Sequence, residues 1–253
     1  MKPFFSVVIP TLNEEKYLSK LLKSLVNQKE KDFEVIVADG GSEDNTLKLA
    51  RDFQPLFKKM HQDLYLLRRR KGNVSRQRNL GAKMAQGDYL VFFDADVWFG
   101  QNFLAKIKKE IEKDKSEFLT CWAKPETRRP EDELLTWLTN LTFETSLAIG
   151  KPLVPGWCFI VQKKIFDKIG GFDKDIRLAE DLDLANRIYD RGYKLTILKK
   201  PKITVSLRRY RKEGALKVLA KYSKVGINAI LKGNKVLRNK LVDYPMGGKA
   251  HEK

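Results

Sequence analysis

The chain has 253 residues, 42% of them apolar, and a formal net charge of +18. This length and apolar content suffice for one large α/β domain and exclude an intrinsically disordered chain. No run approaches eighteen consecutive apolar residues and the N-terminus shows no cleavable leader, so we expect a cytoplasmic protein without a membrane span.

Four short apolar runs begin at Ser6, Glu34, Leu64 and Tyr89. Each run is continuous and rich in β-branched or aromatic residues, as expected for strands covered on both faces. Helical patterns lie between the runs. In residues 14–28, five apolar side chains share one helical face: Tyr17, Leu18, Leu21, Leu22 and Leu25. Strands and helices alternating every ~25 to 30 residues predict an α/β fold with a Rossmann-like, mostly parallel sheet flanked by helices.

Polar residues follow three of these runs where each strand is expected to end. Thr11 and Glu14 follow the first run, Asp39 follows the second, and Asp94 and Asp96 follow the fourth. In parallel sheets, ligands bind beyond the carboxyl ends of the strands. The ordinary polarity of loops is the alternative explanation, but three strand ends at one edge favour a binding site.

The second run continues into ADGGSEDNT, and neither a Walker lysine loop nor GxGxxG follows the first run. Gly40 and Gly41 permit a turn with positive φ, and Ser42 or Asp44 can cap the next helix. Asp39 is not explained by capping. At the strand tip its carboxylate suits a nucleobase amide.

Asp94 and Asp96 stand two residues apart at the end of the fourth run. On a strand such carboxylates point the same way and repel each other unless a cation lies between them. The chain has only two histidines and two cysteines, without the spacing of a zinc site. Oxygen ligands therefore predict Mg²⁺ or Mn²⁺, whereas a capped strand end explains only one of the two aspartates. Abundant Lys and Glu with few Cys and His is also typical of a thermophilic protein.

The segment AEDLDLANR places Glu180, Asp181 and Asp183 at the start of a predicted helix. With histidine nearly absent, a carboxylate is the expected general base. The helix macrodipole favours acidic residues here without any catalytic role and would lower the pKa of Asp181, whereas Glu180 and burial would raise it. The residues alone leave this balance open.

Two segments between the acidic motifs each have two interpretations. Gly156 permits a close backbone approach, and Trp157 either stacks on a ligand or belongs to the core. The stretch PEDELLTWLTNLTFETSLAIG predicts an amphipathic helix whose apolar side either contacts a ligand or packs on the domain. That side is formed by Leu134, Leu135, Leu138 and Leu141.

Positive charge is concentrated in the C-terminal part of the chain. From Lys199 onward there are 16 Lys and Arg against 3 Asp and Glu, so this part carries +13 of the +18. Residues 206–231 predict a basic amphipathic helix that suits either an anionic membrane or packing on the domain. Its two faces comprise Lys217, Lys221 and Lys224, and Leu216, Leu219, Tyr222 and Ala229. The adjacent Arg208 and Arg209 suit a diphosphate.

Five segments between Ser6 and Gly214 stand in an order that resembles the family-2 inverting glycosyltransferases of the GT-A fold. The segments are SVVIPTLNEE, VIVADGGSEDNT, RQRNLGAKMAQGDYLVFFDAD, GGFDKDIRLAEDLDLANRIYDRGYKL and SLRRYRKEG. We therefore expect a GT-A catalytic domain over 1–206 and a basic helical extension over 207–253, packed on or beside it.

The resemblance implies that Asp94 and Asp96 hold Mn²⁺ or Mg²⁺ against the diphosphate of a UDP- or GDP-sugar. It implies Asp181 as the base that deprotonates the acceptor hydroxyl, with Glu180 and Asp183 in support and Arg187 as its orienting partner. The implied donor-binding residues are Pro10, Thr11, Glu14, Asp39, Arg76, Asn79 and Asp94. The implied sugar and acceptor residues are Gly156, Trp157, Arg208 and Arg209. Trp157 would stack on a sugar face, and the apolar side of the helix in residues 130–150 would contact the acceptor.

The expected function is the metal-dependent, inverting transfer of a sugar from a nucleotide-diphosphate sugar to a hydroxyl or phosphate group of a glycan or lipid-linked acceptor, with no nucleic-acid partner. The C-terminal charge leaves a peripheral position on the cytoplasmic membrane face open. Lipid-phosphate mannose synthases usually carry Gln shortly after the metal motif, and DADVWF lacks it. A sugar nucleotidyltransferase, which normally opens with a Gly-rich loop, and a non-enzymatic binder of anionic surfaces are the alternatives.

Overall fold

The structure, a computed structural model, describes residues 2–69, 73–176, 178–232 and 237–238. In these ranges one eight-stranded sheet carries helices on both faces. The strands are β1 (Phe5–Thr11), β2 (Phe33–Asp39), β3 (Leu64–Arg68), β4 (Tyr89–Phe92), β5 (Val97–Trp98), β6 (Phe118–Pro125), β7 (Phe159–Gln162) and β8 (Leu195–Val205). The helices are α1 (Leu18–Val26), α2 (Thr46–Lys59), α3 (Val74–Met84), α4 (Phe103–Asp114), α5 (Pro130–Ala148), α6 (Lys163–Ile169), α7 (Glu180–Tyr189), α8 (Arg208–Glu213) and α9 (Ala215–Lys232).

The strand order in the sheet is β3-β2-β1-β4-β7-β6-β8-β5. The four predicted strands are confirmed and run parallel to one another. The other half is mixed, because β7 is antiparallel to both β4 and β6 while β6 and β8 are parallel. Thr11 pairs in register with Asp39, so the polar ends of β1 and β2 meet at one edge of the sheet.

Successive residues of the central strands face two separate apolar cores, which explains why the sequence runs are continuous rather than alternating. Val7 and Ile9 of β1 pack in one core, together with apolar residues of α1, α2 and α4. Val8 packs in the other core, with residues of α3, α6 and α7. Both faces of the sheet are therefore packed, and the loops after β1, β2 and β4 extend from strands that are held in place on both sides.

The helix predicted over residues 14–28 begins later than its apolar pattern does. It starts at Leu18 and buries Leu18, Leu21, Leu22 and Leu25, whereas Tyr17 precedes it. Asp44 caps the following helix, because its Oδ1 accepts a hydrogen bond from the Thr46 amide at 3.0 Å. Ser42 is used elsewhere, in the turn after β2.

Three of the four leucines on the apolar side of the helix predicted over residues 130–150 do not pack on the domain, so the structure contradicts the packing alternative for them. The helix is present as α5, but Leu134, Leu138 and Leu141 are exposed, and Leu135 is half-buried. The buried side chains of α5 are Thr136, Asn140, Phe143 and Ser146. The reason is a polar attachment to β6, since the Asn140 side chain exchanges two 2.9 Å hydrogen bonds with the Ala123 backbone.

The basic C-terminal segment forms two helices instead of one, with a break at Gly214, where φ is +87°. Val225 and Leu237 pack against Ile176 and Leu182, so this segment is attached to the rest of the fold. Of the predicted lysine face, Lys217 and Lys224 are exposed and Lys221 pairs with Glu213.

The side chains of Leu216, Tyr222 and Ala229 lie outside the described part of the chain, as do residues 233–236 and 239–253. The boundary at 206 and 207 stays a prediction. Within the described ranges, no helix combines the length and the apolarity needed to cross a bilayer.

Candidate functional site

Arg78 of α3 lies between the two acidic motifs. Its side chain is only 2% exposed, and Nη2 donates to Asp94 Oδ1 at 2.8 Å and to the Gly156 carbonyl at 3.3 Å. Its Nη1 donates to Glu180 Oε1 at 2.5 Å. Asp94 follows β4 and Glu180 begins α7, so one buried guanidinium joins the ends of separate elements. The two acidic clusters therefore line one site.

Gly156 occupies the narrow space between these groups. A methyl group on Gly156 would lie 2.8 Å from Arg78 Nη2, 3.1 Å from Asp181 Oδ2 and 3.5 Å from Asp94 Oδ2. The predicted close approach at Gly156 is thus present, and it involves side chains of the site. Any other residue here would displace the guanidinium or a carboxylate.

The Asp181 carboxyl group lies at the N-terminus of α7, where its Oδ1 accepts a hydrogen bond from the Leu182 amide at 2.8 Å. Burial raises the pKa of Asp181 to about 7, and the neighbouring Glu180 contributes in the same direction. Arg78 and the Leu182 amide lower the pKa of Asp181, but by less than burial raises it. The balance that the sequence leaves open therefore favours a carboxyl group that ionises near neutral pH.

Arg187 does not act as the orienting partner of Asp181. Its Nε donates to Asp183 Oδ2 at 2.8 Å, and its Nη2 donates to the Gly171 carbonyl at 2.7 Å. Arg187 and Asp183 thus attach α7 to the loop after α6. The cation that acts on Asp181 is Arg78.

A second arginine joins the end of β1 to the Asp-x-Asp motif. Arg208, the first residue of α8, donates to both oxygens of Glu14 at 3.2 Å, and its Nε lies 3.1 Å from Asp96 Oδ2. The guanidinium also lies over the Tyr17 ring, 4.0 Å from the centroid. Arg208 therefore fastens the C-terminal segment to the same edge of the sheet.

Burial raises the pKa of both carboxyl groups that contact Arg208. For Glu14 the pKa reaches about 7 although Arg208 lowers it. For Asp96 the pKa is also raised by burial, against the attraction of Arg208 and Arg209. These carboxyl groups would release a proton more readily if a further cation approached them.

The donor set at the end of β4 fits a hard divalent cation that shares its coordination with a ligand. Asp94 uses Oδ1 for Arg78, and its Oδ2 faces the space beside Gly156, while Asp96 contacts Arg208. In the described ranges, no group of three or more His, Cys, Asp or Glu side chains is arranged to hold a metal by itself. Carboxylate oxygens completed by phosphate oxygens are a coordination set that suits Mg²⁺ or Mn²⁺.

Asp39 is completely buried and organises the turn after β2. Its Oδ1 accepts hydrogen bonds from the Gly41 and Ser42 amides at 2.9 Å, and its Oδ2 accepts from the hydroxyls of Ser42 and Thr11 at 2.5 and 3.3 Å. Pro10 is buried in β1 beside this turn. A contact from Asp39 to a nucleobase stays a prediction. It would require a nucleobase N–H to replace the hydroxyl of Thr11 or Ser42 as a hydrogen-bond donor to Asp39.

Asn79 and Arg76 occupy different surroundings on α3. Both ends of the Asn79 amide bind the backbone of Phe172, with Nδ2 donating to the carbonyl at 2.7 Å and Oδ1 accepting from the amide at 2.9 Å. Asn79 thus connects α3 to the loop after α6. Arg76 is half-buried in the first turn of α3, close in sequence to residues 70–72, which lie outside the described part of the chain. Donor contacts of both residues stay predictions.

Trp157 packs in the core and leaves its polar atom without a partner. Its ring meets Phe143 edge-on with centroids 5.5 Å apart, and it packs against the core around α1 and α4. Its Nε1 is buried and donates no hydrogen bond within the described residues. The ring is half-buried and packs against the core, and stacking of Trp157 on a sugar stays a prediction.

Arg78 is the site residue that the sequence patterns miss, although they carry a signal for it. Ser75, Gly81 and Ala82 are small residues three or four positions from Arg78 and are buried with it, so they mark the packed face of α3. Arg76 lies off this face and is half-buried. An arginine on the packed face requires carboxylate partners.

A parallel half-sheet with an Asp-x-Asp motif at its edge, facing a second acidic cluster at a helix N-terminus, defines the class of GT-A glycosyltransferases. The family profile described as glycosyl transferase family 2 matches residues 6–170, more than half of the chain. The chain belongs to this family, which confirms the resemblance. Glu180, Asp181 and Arg208 lie beyond the matched residues.

Relatives and solved structures agree with this assignment. The "Uncharacterized glycosyltransferase EpsJ" of Bacillus subtilis (strain 168) is 26% identical over 191 residues, which are 72% of this chain and 54% of that protein. The Staphylococcus aureus poly(ribitol-phosphate) beta-N-acetylglucosaminyltransferase TarS is 34% identical over 117 residues, 46% of this chain and 18% of that protein. The chain thus spans about half, or less, of the length of these relatives.

Two structures bound to nucleotide sugars share the fold. S. aureus TarS 1–349 in complex with UDP-GlcNAc superposes with a TM-score of 0.65 and 25% identity, over 81% of this chain and 58% of that one. The mannosyltransferase PcManGT of Pyrobaculum calidifontis, in complex with GDP-Man and Mn²⁺, superposes with a TM-score of 0.68 and 21% identity, over 94% of this chain and 70% of that one.

Proposed function

We propose that the protein is an inverting glycosyltransferase that moves a sugar from a nucleoside-diphosphate sugar to a hydroxyl group of a glycan or lipid-linked acceptor. The observation that carries the proposal is the position of Arg78, which binds Asp94 and Glu180 while Asp181 lies across Gly156. A donor site at Asp94 and a base at Asp181 would thus face each other across a space that Gly156 keeps open. Inversion needs this arrangement, because the nucleophile and the leaving group occupy opposite sides of the anomeric carbon.

Asp181 is the proposed general base. As the acceptor oxygen bonds to the anomeric carbon, the bond from that carbon to the diphosphate oxygen breaks and its electron pair leaves with the diphosphate. The acceptor proton passes to the Asp181 carboxylate. A pKa of about 7 suits this role, because about half of the group is ionised at neutral pH and the carboxylate still attracts a proton well.

Arg78 is the proposed positioning residue of this base. Its guanidinium is buried and holds three backbone or carboxylate oxygens from Asp94, Gly156 and Glu180. Because the guanidinium is planar and rigid, its contacts with Asp94 and Glu180 fix the distance between the donor side and the base side of the site. Because Arg78 lowers the pKa of Asp181, it also keeps a fraction of this base ionised at neutral pH.

The departing diphosphate is proposed to lie against Asp94, Asp96 and the start of α8. Mn²⁺ or Mg²⁺ held by the two aspartates would neutralise negative charge on the diphosphate as it leaves. Arg208 and Arg209 are cations at the same edge, and Arg208 already contacts Asp96 at 3.1 Å. We propose that Arg208 exchanges part of its contact with Glu14 and Asp96 for phosphate oxygens when the donor binds.

The donor is proposed to be a UDP- or GDP-sugar, since the TarS and PcManGT structures contain UDP-GlcNAc and GDP-Man. Asp39 and Thr11 would border the nucleoside, because they lie at the paired ends of β1 and β2. The unpartnered Trp157 Nε1–H would donate to an oxygen of the donor or acceptor sugar. A buried N–H group without a hydrogen-bond partner is unfavourable, and a sugar oxygen that accepted from it would remove this cost.

A thermal-shift series with UDP- and GDP-sugars, each with Mn²⁺ and with EDTA, tests the proposal. A donor at a hundred times its Kd stabilises by about 2.7 kcal/mol, which corresponds to a Tm rise of roughly 5–10 °C for a chain of this size. We expect one nucleotide class to give this shift with Mn²⁺, and Asp181→Asn to retain the shift while losing transfer. The proposal fails if no nucleotide sugar stabilises the protein and donor hydrolysis is insensitive to EDTA.

A further inference from the structure

Helix α5 turns a polar side inward and leaves an apolar side in solvent. Five large apolar side chains on or next to it are between 38% and 67% exposed. They are Leu134, Trp137, Leu138, Leu141 and Ile149. Their spacing of three, four or eight residues puts them along one side of the helix, which we call the α5 apolar face. Exposed apolar side chains grouped in this way mark an interaction surface.

The polar groups of this side are satisfied within the helix. The sequence has no charged residue between Glu133 and Glu144. The hydroxyls of Thr139 and Thr142 donate to the carbonyls of Leu135 and Leu138 at 2.9 Å, and that of Thr145 donates to the Thr142 carbonyl at 3.1 Å. These threonines therefore need no hydrogen bond from outside, and the α5 apolar face suits a medium that offers none.

Positive charge surrounds the C-terminal half of the α5 apolar face. Lys151 follows the helix and is exposed. Lys199 of β8 lies 3.3 Å from Glu144 of α5. Lys199 and Lys202 both lie over the ring of Trp122. The Nε1–H of that ring donates to Glu144. At the other end, the exposed Arg128 and Arg129 balance the exposed Glu131 and Glu133.

The C-terminal segment contacts α5 on its inward side, away from the α5 apolar face. Arg211 of α8 pairs with Glu126 and lies 3.7 Å from Asp132 in the first turn of α5. This contact neutralises Asp132, which lies one turn before the buried Thr136, on the side of α5 that faces the fold. Apolar side chains with a tryptophan among them, bordered by lysines, are typical of helices that lie in the interface of an anionic bilayer.

A second copy of the chain fits the same surface poorly. From Leu134 to Ile149 the face is about 22 Å long and one helix, about 10 Å, wide. That area is well below the ~800 Å² that each partner buries in a stable dimer. Each copy also carries +18, so pairing brings like charges together, whereas an anionic surface attracts them.

We propose that the α5 apolar face docks on the surface of an anionic lipid bilayer, with Trp137, Leu138 and Leu141 inserted at the headgroup level. Lys151, Lys199 and Lys202 would contact the headgroups. This inference goes beyond the proposed sugar transfer and does not depend on it, because docking would be measured with no donor or acceptor present.

Vesicle sedimentation of the full chain tests the proposal. We expect binding to vesicles that contain phosphatidylglycerol, weaker binding to phosphatidylcholine alone, and a loss of binding as salt is raised. In Leu138→Glu/Leu141→Glu the partition coefficient should fall at least about 100-fold, since each buried leucine contributes roughly tenfold. Leu56→Glu is the matched control, because Leu56 is 42% exposed on α2 and should leave binding unchanged.

A second readout locates the contact. Lipids brominated in the acyl chain should quench the fluorescence of the wild type more than that of Trp137→Phe. Circular dichroism and thermal unfolding confirm that each variant is folded. The proposal is overturned if the double variant binds as the wild type does while Lys217→Glu/Lys224→Glu does not. It is equally overturned if no anionic vesicle is bound, or if the wild type is a dimer that the double variant makes monomeric.

Discussion

Arg78 and Asp181 lie against the same point of the backbone, since a methyl group on Gly156 would be 2.8 Å from Arg78 Nη2 and 3.1 Å from Asp181 Oδ2. The same guanidinium binds Asp94 and Glu180. One buried cation thus faces three carboxylates, each of which would repel the others without it. The site depends on Arg78 both for its geometry and for its charge balance.

Replacing Arg78 should therefore lower both stability and catalysis, and two different substitutions separate the two effects. Arg78→Leu leaves buried carboxylates without a cation and should lower the free energy of unfolding by about 3–5 kcal/mol. Arg78→Lys keeps the charge but loses the planar fork, so we expect a folded protein with a lower kcat. Denaturant unfolding and initial rates measure the two effects. A fully active Arg78→Leu variant would show that Arg78 does not position the base.

The strands and the acidic motifs could be predicted because their signals are local. Continuous apolar runs ending in Thr11, Asp39 and Asp94 fix both the sheet and the edge that carries polar groups. The partner of Asp181 could not be predicted in the same way, because Arg78 and Arg187 are both arginines on helices. Only the tertiary packing of α3 decides which one is buried beside Asp181.

The direction in which α5 packs is a second case of this kind. Apolar periodicity leaves open whether the leucines pack on the domain or contact an acceptor, and the paired hydrogen bonds between Asn140 and Ala123 hold the opposite side of the helix against β6. A polar anchor of this sort is specific to one pair of residues and leaves no periodic signal. The apolar periodicity therefore predicted the helix correctly but did not indicate which side of it packs on the domain.

The pH dependence of kcat/KM should report the ionisation of Asp181 in the free enzyme. Since the base must be ionised and its pKa is about 7, the rate should reach half its maximum near pH 7 and level off above about pH 8. Asp181→Asn should lower turnover about 10²- to 10⁴-fold, because general-base assistance is lost. A wild-type profile that is flat between about pH 5 and 8 would remove Asp181 from this role. Donor hydrolysis or transfer at saturating Mn²⁺ gives the measurement.

The same raised pKa predicts an effect on stability. The native carboxyl group of Asp181 ionises near pH 7, against a usual value of 3.8, so folding favours its protonated form. Its contribution to the free energy of unfolding is complete at low pH and is lost as pH rises through about 7. Asp181→Asn has no such loss, so its Tm should exceed that of the wild type at about pH 8 and approach it near pH 4. Equal Tm differences at both pH values would contradict the raised pKa.

Arg208 should influence donor binding more than the stability of the core. Arg208→Gln removes the paired contacts to Glu14 and the contact to Asp96. If these contacts are exchanged for phosphate oxygens, the Kd for the nucleoside diphosphate should rise about 10- to 100-fold. Arg51→Gln, at an exposed position of α2, is the control. Tighter binding by Arg208→Gln would mean that Arg208 obstructs the donor instead of holding it.

Gly156→Ala tests whether the space between donor side and base side is needed. The added methyl group would lie 2.8 Å from Arg78 Nη2 and 3.1 Å from Asp181 Oδ2, so one of these buried groups must move. Because a misplaced base or positioning cation weakens catalysis strongly, we expect kcat to fall about 100-fold or more. Gly100→Ala is the matched control, since a methyl group there meets nothing within 4 Å, and it should leave kcat unchanged. Thermal unfolding separates a local effect from a loss of fold. If Gly156→Ala were as active as Gly100→Ala, the sugar could not be bound in the space between Asp94 and Asp181.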